Sequence, residues 1–325
     1  MPAKLGVHRI VSHPDLDAGG TPALESEANV YLLVYGRSAL LIDSGFSSRT
    51  SYQDTIRLID SLAVRVEGIA LTHGHPDHVS GAPTLALALQ CPIYCHPDEQ
   101  ALIIRTWQSQ ALPPEEIAAA RQRIVPELRE SHRPFPMPLT VLHTPGHTHG
   151  HVALLHEPEG QLFCGDTILP SGTVWIGPPD GHMKSYLTSL RKLLDLPVRI
   201  AYCGHEAPSA EPRLPTQRIL ARRLDRENDI LNALFGTWVN VRELTFRVYK
   251  LSAGHPVYQV AVRTVLAHLQ HLEEEGRVES LFDRIQMTLV YRASRQGQTG
   301  DGPSVPNPSH HPKAVDAADQ FDADH

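Results

Sequence analysis

Short apolar runs, each closed by Gly, Pro or Asp, punctuate the first two-thirds of the chain, and their spacing predicts the elements. Residues 7–11 and 28–35 read as strands, and Gly36-Arg37-Ser38 turns the second into a third over 39–43, so a hairpin starts a sheet. Residues 50–62 carry Ile56, Ile59 and Leu62 at helical spacing, residues 69–71 are a strand, residues 79–90 an Ala/Leu-rich helix and residues 91–95 another strand. Alternation of this kind argues an α/β layer. Further strands are expected before His147, over 152–155, over 162–164 and over 200–203. Tyr186, Leu187, Leu190, Leu193 and Leu194 form the apolar stripe of a helix.

The pattern changes after residues 208–215, a stretch with three prolines that reads as a linker. Three helical periods follow over 216–235, 241–251 and 256–275, the first closed by Gly236 and the last by Gly276. Two strands over 277–282 and 286–291 then form a hairpin. Three helices and a hairpin is a winged-helix order. From Gln296 onward the chain is rich in Gly, Pro, Ser, His and Asp and is expected to be disordered, with His310-His311 a solvated pair. The organisation expected is therefore residues 1–212 as a first domain, 213–295 as a small winged-helix domain, and 296–325 as a disordered tail.

Composition adds bounds. With 325 residues, 20% charged and 41% hydrophobic, the chain is ordinary for a globular protein and long enough for two cores. Met1-Pro2-Ala3-Lys4-Leu5-Gly6 has no long apolar segment behind it, so neither a signal peptide nor a membrane span is expected, and the expected location is cytoplasmic. Cys91, Cys95, Cys164 and Cys203 fit no zinc spacing or disulfide framework and read as buried residues, although Cys164 and Cys203 each stand two positions before a metal-competent side chain. The net charge of −7 is uneven: residues 213–295 carry 13 basic and 9 acidic side chains, a mild excess rather than a nucleic-acid patch.

Leu71-Thr72-His73-Gly74-His75-Pro76-Asp77-His78 places three imidazoles and a carboxylate behind an apolar run. Such donors suit zinc, iron or manganese. Gly74 and Pro76 are expected to keep this stretch from coiling into a helix. Three later segments repeat the arrangement of strand, Gly and donor: Thr144-Pro145-Gly146-His147, Cys164-Gly165-Asp166 and Cys203-Gly204-His205. Donors on separate strand ends are held by a rigid scaffold, as an open catalytic metal site requires.

H-x-H-x-D-H, then T-P-G-H-T, G-D and G-H resemble the metallo-β-lactamase-fold hydrolases with the glyoxalase II-like ligand set. The resemblance implies an αββα sandwich with two metal ions, zinc first with iron or manganese as the other options. His73, His75 and His147 would hold one ion, Asp77, His78 and His205 the other, and Asp166 would bridge them. It further implies that Asp43, closing its strand ahead of Ser44-Gly45, orients a ligand from outside. Two cations about 3.5–4 Å apart would share a bridging water and make it a hydroxide nucleophile, with Asp77 positioning it or moving a proton. By the same resemblance His149 and His151 are not ligands, His151 opens a strand, and a contact from His149 to substrate stays open.

The Gly/Pro-rich loop over 167–182 offers Trp175 and His182, with Tyr186 just beyond, as candidate substrate-pocket residues. For Tyr186, core packing is the equal alternative. Residues 101–129, helical and broken at Pro113-Pro114, are expected as two helices of a flap beside the site, with Asp98 as a helix cap. The segment from Ala261 to Val278 resembles the winged helix attached to the β-lactamase-like protein 2 family. Its third helix ends in Glu273-Glu274-Glu275, which favours packing on the first domain over phosphate contact. The function expected is hydrolysis of a small ester-like, thioester or lactone substrate. The alternative is single-stranded RNA cleavage of the β-lactamase-like protein 2 type, and behind it stand a mononuclear-iron persulfide dioxygenase and a DNA-binding regulator without catalysis. No membrane partner is expected, and the oligomeric state is not read from the sequence.

Overall fold

The computed structural model describes residues 4–15, 27–110 and 112–294. The expected disordered tail and His310-His311 lie outside the described residues. β1 (Gly6–Ser12), β2 (Ala28–Tyr35) and β3 (Ser38–Ile42) pair antiparallel, and β4 (Arg65–Ala70), β5 (Ile93–Tyr94) and β6 (Ile124–Val125) extend the sheet in parallel. A second sheet runs β10 (Ile200–Cys203), β9 (Gln161–Gly165), β8 (Val152–His156), β7 (Leu139–His143). β2 shows why its sequence is apolar without interruption. Tyr31 and Leu33 pack between the sheets with Leu139, Val141 and Phe163, whereas Val30 and Leu32 pack on the opposite face. A strand buried on both sides has no polar face to alternate with.

Helices close both outer faces. α1 (Arg49–Leu62), α3 (Ala82–Leu89), α4 (Gln100–Ser109) and α5 (Pro114–Arg121) cover the first sheet, contributing Ile59, Leu85, Trp107 and Ala120. α1 starts on Ser48, whose side chain accepts from Ser51 N. α6 (Met183–Leu194) covers the second sheet through Tyr186, Leu187 and Leu190. The result is an αββα sandwich, and the strand ends that carry the donors open at one edge of it.

Beyond it, α7 (Arg213–Ala233), α8 (Val241–Tyr249) and α9 (Tyr258–Glu274) precede a hairpin of β12 (Val278–Asp283) and β13 (Thr288–Ala293), a winged helix. Its own core joins Ile230, Leu244, Val265, Leu269 and Tyr291. α7 also serves the sandwich, because Ile219 at its start and Ala267 of α9 are buried with the α6 residues. A two-residue strand, β11 (Val239–Asn240), joins the hairpin and was too short to show as a period. Among the described residues no helix is long and apolar enough to cross a membrane.

Three expectations need correction. Asp77 and His78 stand on a short helix, α2 (Pro76–Val79), because Pro76 occupies the first helical position, where its fixed φ and missing N–H are tolerated. α4 is not a flap: Trp107 is fully buried and its indole donates to Val79 O at 2.8 Å, while Thr106 Oγ1 donates to Gly74 O at 2.7 Å. His96, not Asp98, caps the single turn at Pro97–Glu99, accepting from Asp98 N.

Candidate metal centre

Glycine makes room for the donors. A Cβ on Gly204 would stand 2.1 Å from Asp166 Oδ1, so the carboxylate reaches inward only because that position carries no side chain. Gly165 ends β9 at φ +48, and a Cβ there would meet Thr72 Oγ1 at 2.7 Å and His151 Nε2 at 2.8 Å.

Around that opening the structure brings His73, His75, Asp77, His78, His147, Asp166 and His205 together from four chain segments. Three sets have donor atoms mutually within 4.8 Å: His73, His75 and His147; Asp77, His78 and His205; and His73, His78 and Asp166. Asp166 faces both of the first two, with Oδ2 at 3.6 Å from His147 Nε2 and at 3.4 Å from His205 Nε2, and Oδ1 at 3.4 Å from His78 Nε2. Asp77 Oδ2 lies 3.0 Å from His78 Nε2 and 3.2 Å from His205 Nε2.

The outer bonds fix which nitrogen faces inward. His78 Nδ1 faces Asp43 Oδ2 at 2.8 Å, His205 Nδ1 faces Glu27 O at 2.8 Å, and His147 Nδ1 faces Trp175 O at 2.8 Å. Each outer partner only accepts, so each Nδ1 carries a hydrogen, and each ring, once its Nε2 is free of a proton, turns a lone pair inward. His73 Nδ1 contacts Thr72 Oγ1 at 3.0 Å, and that hydroxyl in turn donates to Asp43 Oδ2 at 2.9 Å. Asp43 thus serves His78 directly and His73 through Thr72. Thr72 N also donates to Asp43 Oδ1 at 2.7 Å.

The inward atoms fit a cation. His73 Nε2, His147 Nε2 and Asp77 Oδ1 are buried without a hydrogen-bond partner. Nε2 of His78 and of His205 are 3.4 Å apart. Two lone pairs at that separation require a proton or a cation between them. Burial first, then His75, pushes His147 down to about 3, and burial with His78 holds His73 well below its ordinary value. Burial opposes charge on His205 too, but Asp166 and Asp77 outweigh it and raise the group to about 11. For His78 burial is likewise outweighed by Asp77, Asp166 and Asp43, and it is raised well above the usual value. Asp77 and Asp166 stay well below the usual carboxylate range, because the imidazoles overcome the opposing effect of burial. The cysteines are all buried, and Cys164 and burial push the Cys203 thiol well up, away from a thiolate ligand.

Two further residues shape the centre. His151 is fully buried, accepts Asp166 N at Nε2 (3.1 Å) and meets Thr144 Oγ1 with Nδ1 (2.9 Å), so it holds the backbone that presents Asp166. Glu99, also buried, accepts Gly150 N at 2.7 Å and steadies the loop after His147. A histidine opening a strand and a glutamate in a helical turn have no spacing that marks such roles.

Of the candidate pocket residues, Trp175 is half-buried, its ring 6.4 Å from that of His75. His182 lines a groove of about 420 Å³ between the sandwich and the winged helix, with His149, Pro179, Gln270, Glu273 and Glu274. For Tyr186 the core alternative holds: it is fully buried, donates to Thr167 O at 3.0 Å and packs against Gly146, so it supports the site from beneath.

Compared with known proteins, residues 24–205 match the metallo-β-lactamase superfamily and residues 241–284 the β-lactamase-associated winged helix domain. Over 216 residues the chain is 32% identical to the atrochrysone carboxyl ACP thioesterase of Aspergillus fumigatus, a match covering 63% of this chain and 59% of that one. The chain thus spans about three-fifths of that relative's length. It is 27% identical over 265 residues to a β-lactamase-like protein 2 homolog of Drosophila melanogaster, covering 77% of this chain and 83% of the other. A crystal structure of a metallo-β-lactamase family protein from Thermus thermophilus superimposes with a TM-score of 0.70 at 26% identity, over 89% of this chain and 99% of that one.

Proposed function

The chain belongs to the metallo-β-lactamase superfamily, and we propose that it is a binuclear metal-dependent hydrolase of a small ester-like, thioester or lactone substrate. The observation that carries the reading is the facing pair His78 and His205, Nε2 to Nε2 at 3.4 Å with both Nδ1 atoms turned to acceptors outside. In this reading His73, His75 and His147 would hold one ion and Asp77, His78 and His205 the other, and Asp166, which faces both sets, would serve the two. Zinc is the proposed occupant, and the same imidazole and carboxylate donors accept iron or manganese. The catalytic unit is residues 1–212, with the winged helix over 213–295 packed on it.

Bound there, divalent cations acidify water and offset negative charge developing on the substrate. The chain's own part is geometric and acid–base. Asp43, Glu27 O and Trp175 O hold three imidazoles in the tautomer that presents Nε2. Asp77 turns Oδ2 to His78 and His205, and its partnerless Oδ1 is placed to orient an attacking water or take its proton. No side chain is assigned to a covalent intermediate.

The thioesterase relative supports an acyl substrate. The winged-helix side of the groove beside His149 and His182 offers Glu273 and Glu274, the latter paired with His182 and Lys184, where phosphate contact would want Lys or Arg. The second reading, cleavage of single-stranded RNA, draws on the likeness to β-lactamase-like protein 2, which extends into the winged helix. The zinc-loaded full chain, offered thioesters, lactones and single-stranded RNA, is expected to turn over a thioester or lactone, to stop on chelation and to recover with metal. Metal-dependent cleavage of RNA with no ester turnover would replace the first reading by the second.

A further inference from the structure

We propose that Arg223 of α7 is a positioning residue for the metal centre, through which the winged helix sets the orientation of His147. The link is a pair of consecutive carbonyls. Arg223 Nη2 donates to Val174 O, and the next carbonyl, Trp175 O, accepts from His147 Nδ1 at 2.8 Å. The strip carrying them lies between a helix of the second unit and an imidazole of the site. If Val174 shifts, Trp175 O shifts with it, and the bond that selects the His147 tautomer is lost.

Arg223 is an unusual residue to find there. It is buried, only 6% exposed, and its Nε has no hydrogen-bond partner. Burying a guanidinium is costly, and here the cation is spent on a backbone carbonyl and on the ring of Tyr186, 5.9 Å away. Tyr186 itself donates to Thr167 O, next to Asp166. The second unit meets the same loop at further points, among them Arg218 Nη2 of α7, which donates to Pro170 O. A Cβ on Gly177 would stand 2.9 Å from Arg263 Cβ of α9, and His182 Nε2 meets Glu274 Oε1 at 2.9 Å. The loop is therefore held from the winged-helix side along its length, and Arg223 is the contact nearest in sequence to the carbonyl that His147 uses.

The inference rests on the reading of His147 as a ligand, and the test separates the two. Zinc affinity of the full-length chain is measured by competition with a chromophoric chelator, with circular dichroism and thermal melting on the same samples. Arg223→Met is expected to weaken zinc binding by roughly ten- to a hundred-fold, the range of outer-contact changes at metal sites, while Arg223→Lys, which keeps the cation and a donor, recovers most of it. Ile219→Ala removes apolar packing at the same junction; it is expected to lower Tm and leave zinc affinity unchanged. A folded Arg223→Met with native zinc affinity would overturn the proposal, as would an equal loss in Ile219→Ala. Should Arg223→Met not fold, Arg223→Gln takes its place: weakened zinc binding supports the proposal and native affinity overturns it. His147→Ala is the calibration: if it keeps native zinc binding, the ligand reading itself fails, whereas its loss beside an unaffected Arg223→Met sinks only the role of Arg223.

Discussion

Asp43 and His78 are joined by a buried contact of 2.8 Å between Oδ2 and Nδ1, made by an aspartate whose own φ is +59. The left-handed backbone aims the carboxylate back over the strand end, where it also takes Thr72 N and Thr72 Oγ1. Asn tolerates this conformation but puts an NH₂ where two oxygens now accept. Asp43→Asn should therefore keep its fold by circular dichroism and lose roughly ten- to a hundred-fold in metal affinity by chelator competition. Asp43→Ala should lose about a further 1–2 kcal/mol of stability to left-handed strain.

Metal loading should release protons. In the metal-free protein His205 is raised to about 11 and His78 well above its ordinary value, so both hold protons near neutrality. His147, lowered to about 3, and His73, lowered as well, hold no second proton there. A cation must displace the first two protons, so affinity rises with pH and falls as pH drops. Calorimetry in buffers of different ionisation enthalpy should register this release, and binding with no proton exchange between roughly pH 6 and 8 would contradict it.

Much of this was legible because the donors announce themselves locally. H-x-H-x-D-H and the three Gly-donor turns each follow a strand, β2 and β9 are apolar runs bounded by turn residues, and α9 carries a period long enough to read. What was not legible depends on contacts between distant segments. Pro76 reads as a breaker until the backbone shows it in the first position of a helix. Trp107 reads as part of a flap, yet its indole is tied to Val79 O in the core. Tyr186 lies on an apolar stripe that suits a pocket wall or a core, and only its burial decides. Two-residue strands such as β5, β6 and β11 are fixed by their neighbours and have no period to display.

His151 is a further case, since its role exists only where β8 meets the turn after β9. His151→Phe leaves Asp166 N and Thr144 Oγ1 without this partner in a buried setting, at about 1–3 kcal/mol for each group left unsatisfied. Denaturant unfolding of the metal-free protein should show that loss, and an unchanged midpoint would count against it.

Trp107→Phe keeps most of the ring volume and removes the bond to Val79 O. A stability loss of about 1–3 kcal/mol is expected. Metal stoichiometry should hold, because His78 is separately fixed by Asp43 and by Ser44 N, which donates to His78 O at 2.8 Å.

Metal content of the purified full-length chain, measured for the native protein and for His75→Ala, His205→Ala and Asp166→Ala, tests the pairing of ions most directly. The native chain should carry two ions, His75→Ala and His205→Ala should each retain one, and Asp166→Ala should weaken both. A native chain that saturates with a single ion, or an Asp166→Ala variant that binds like the native protein, would contradict it.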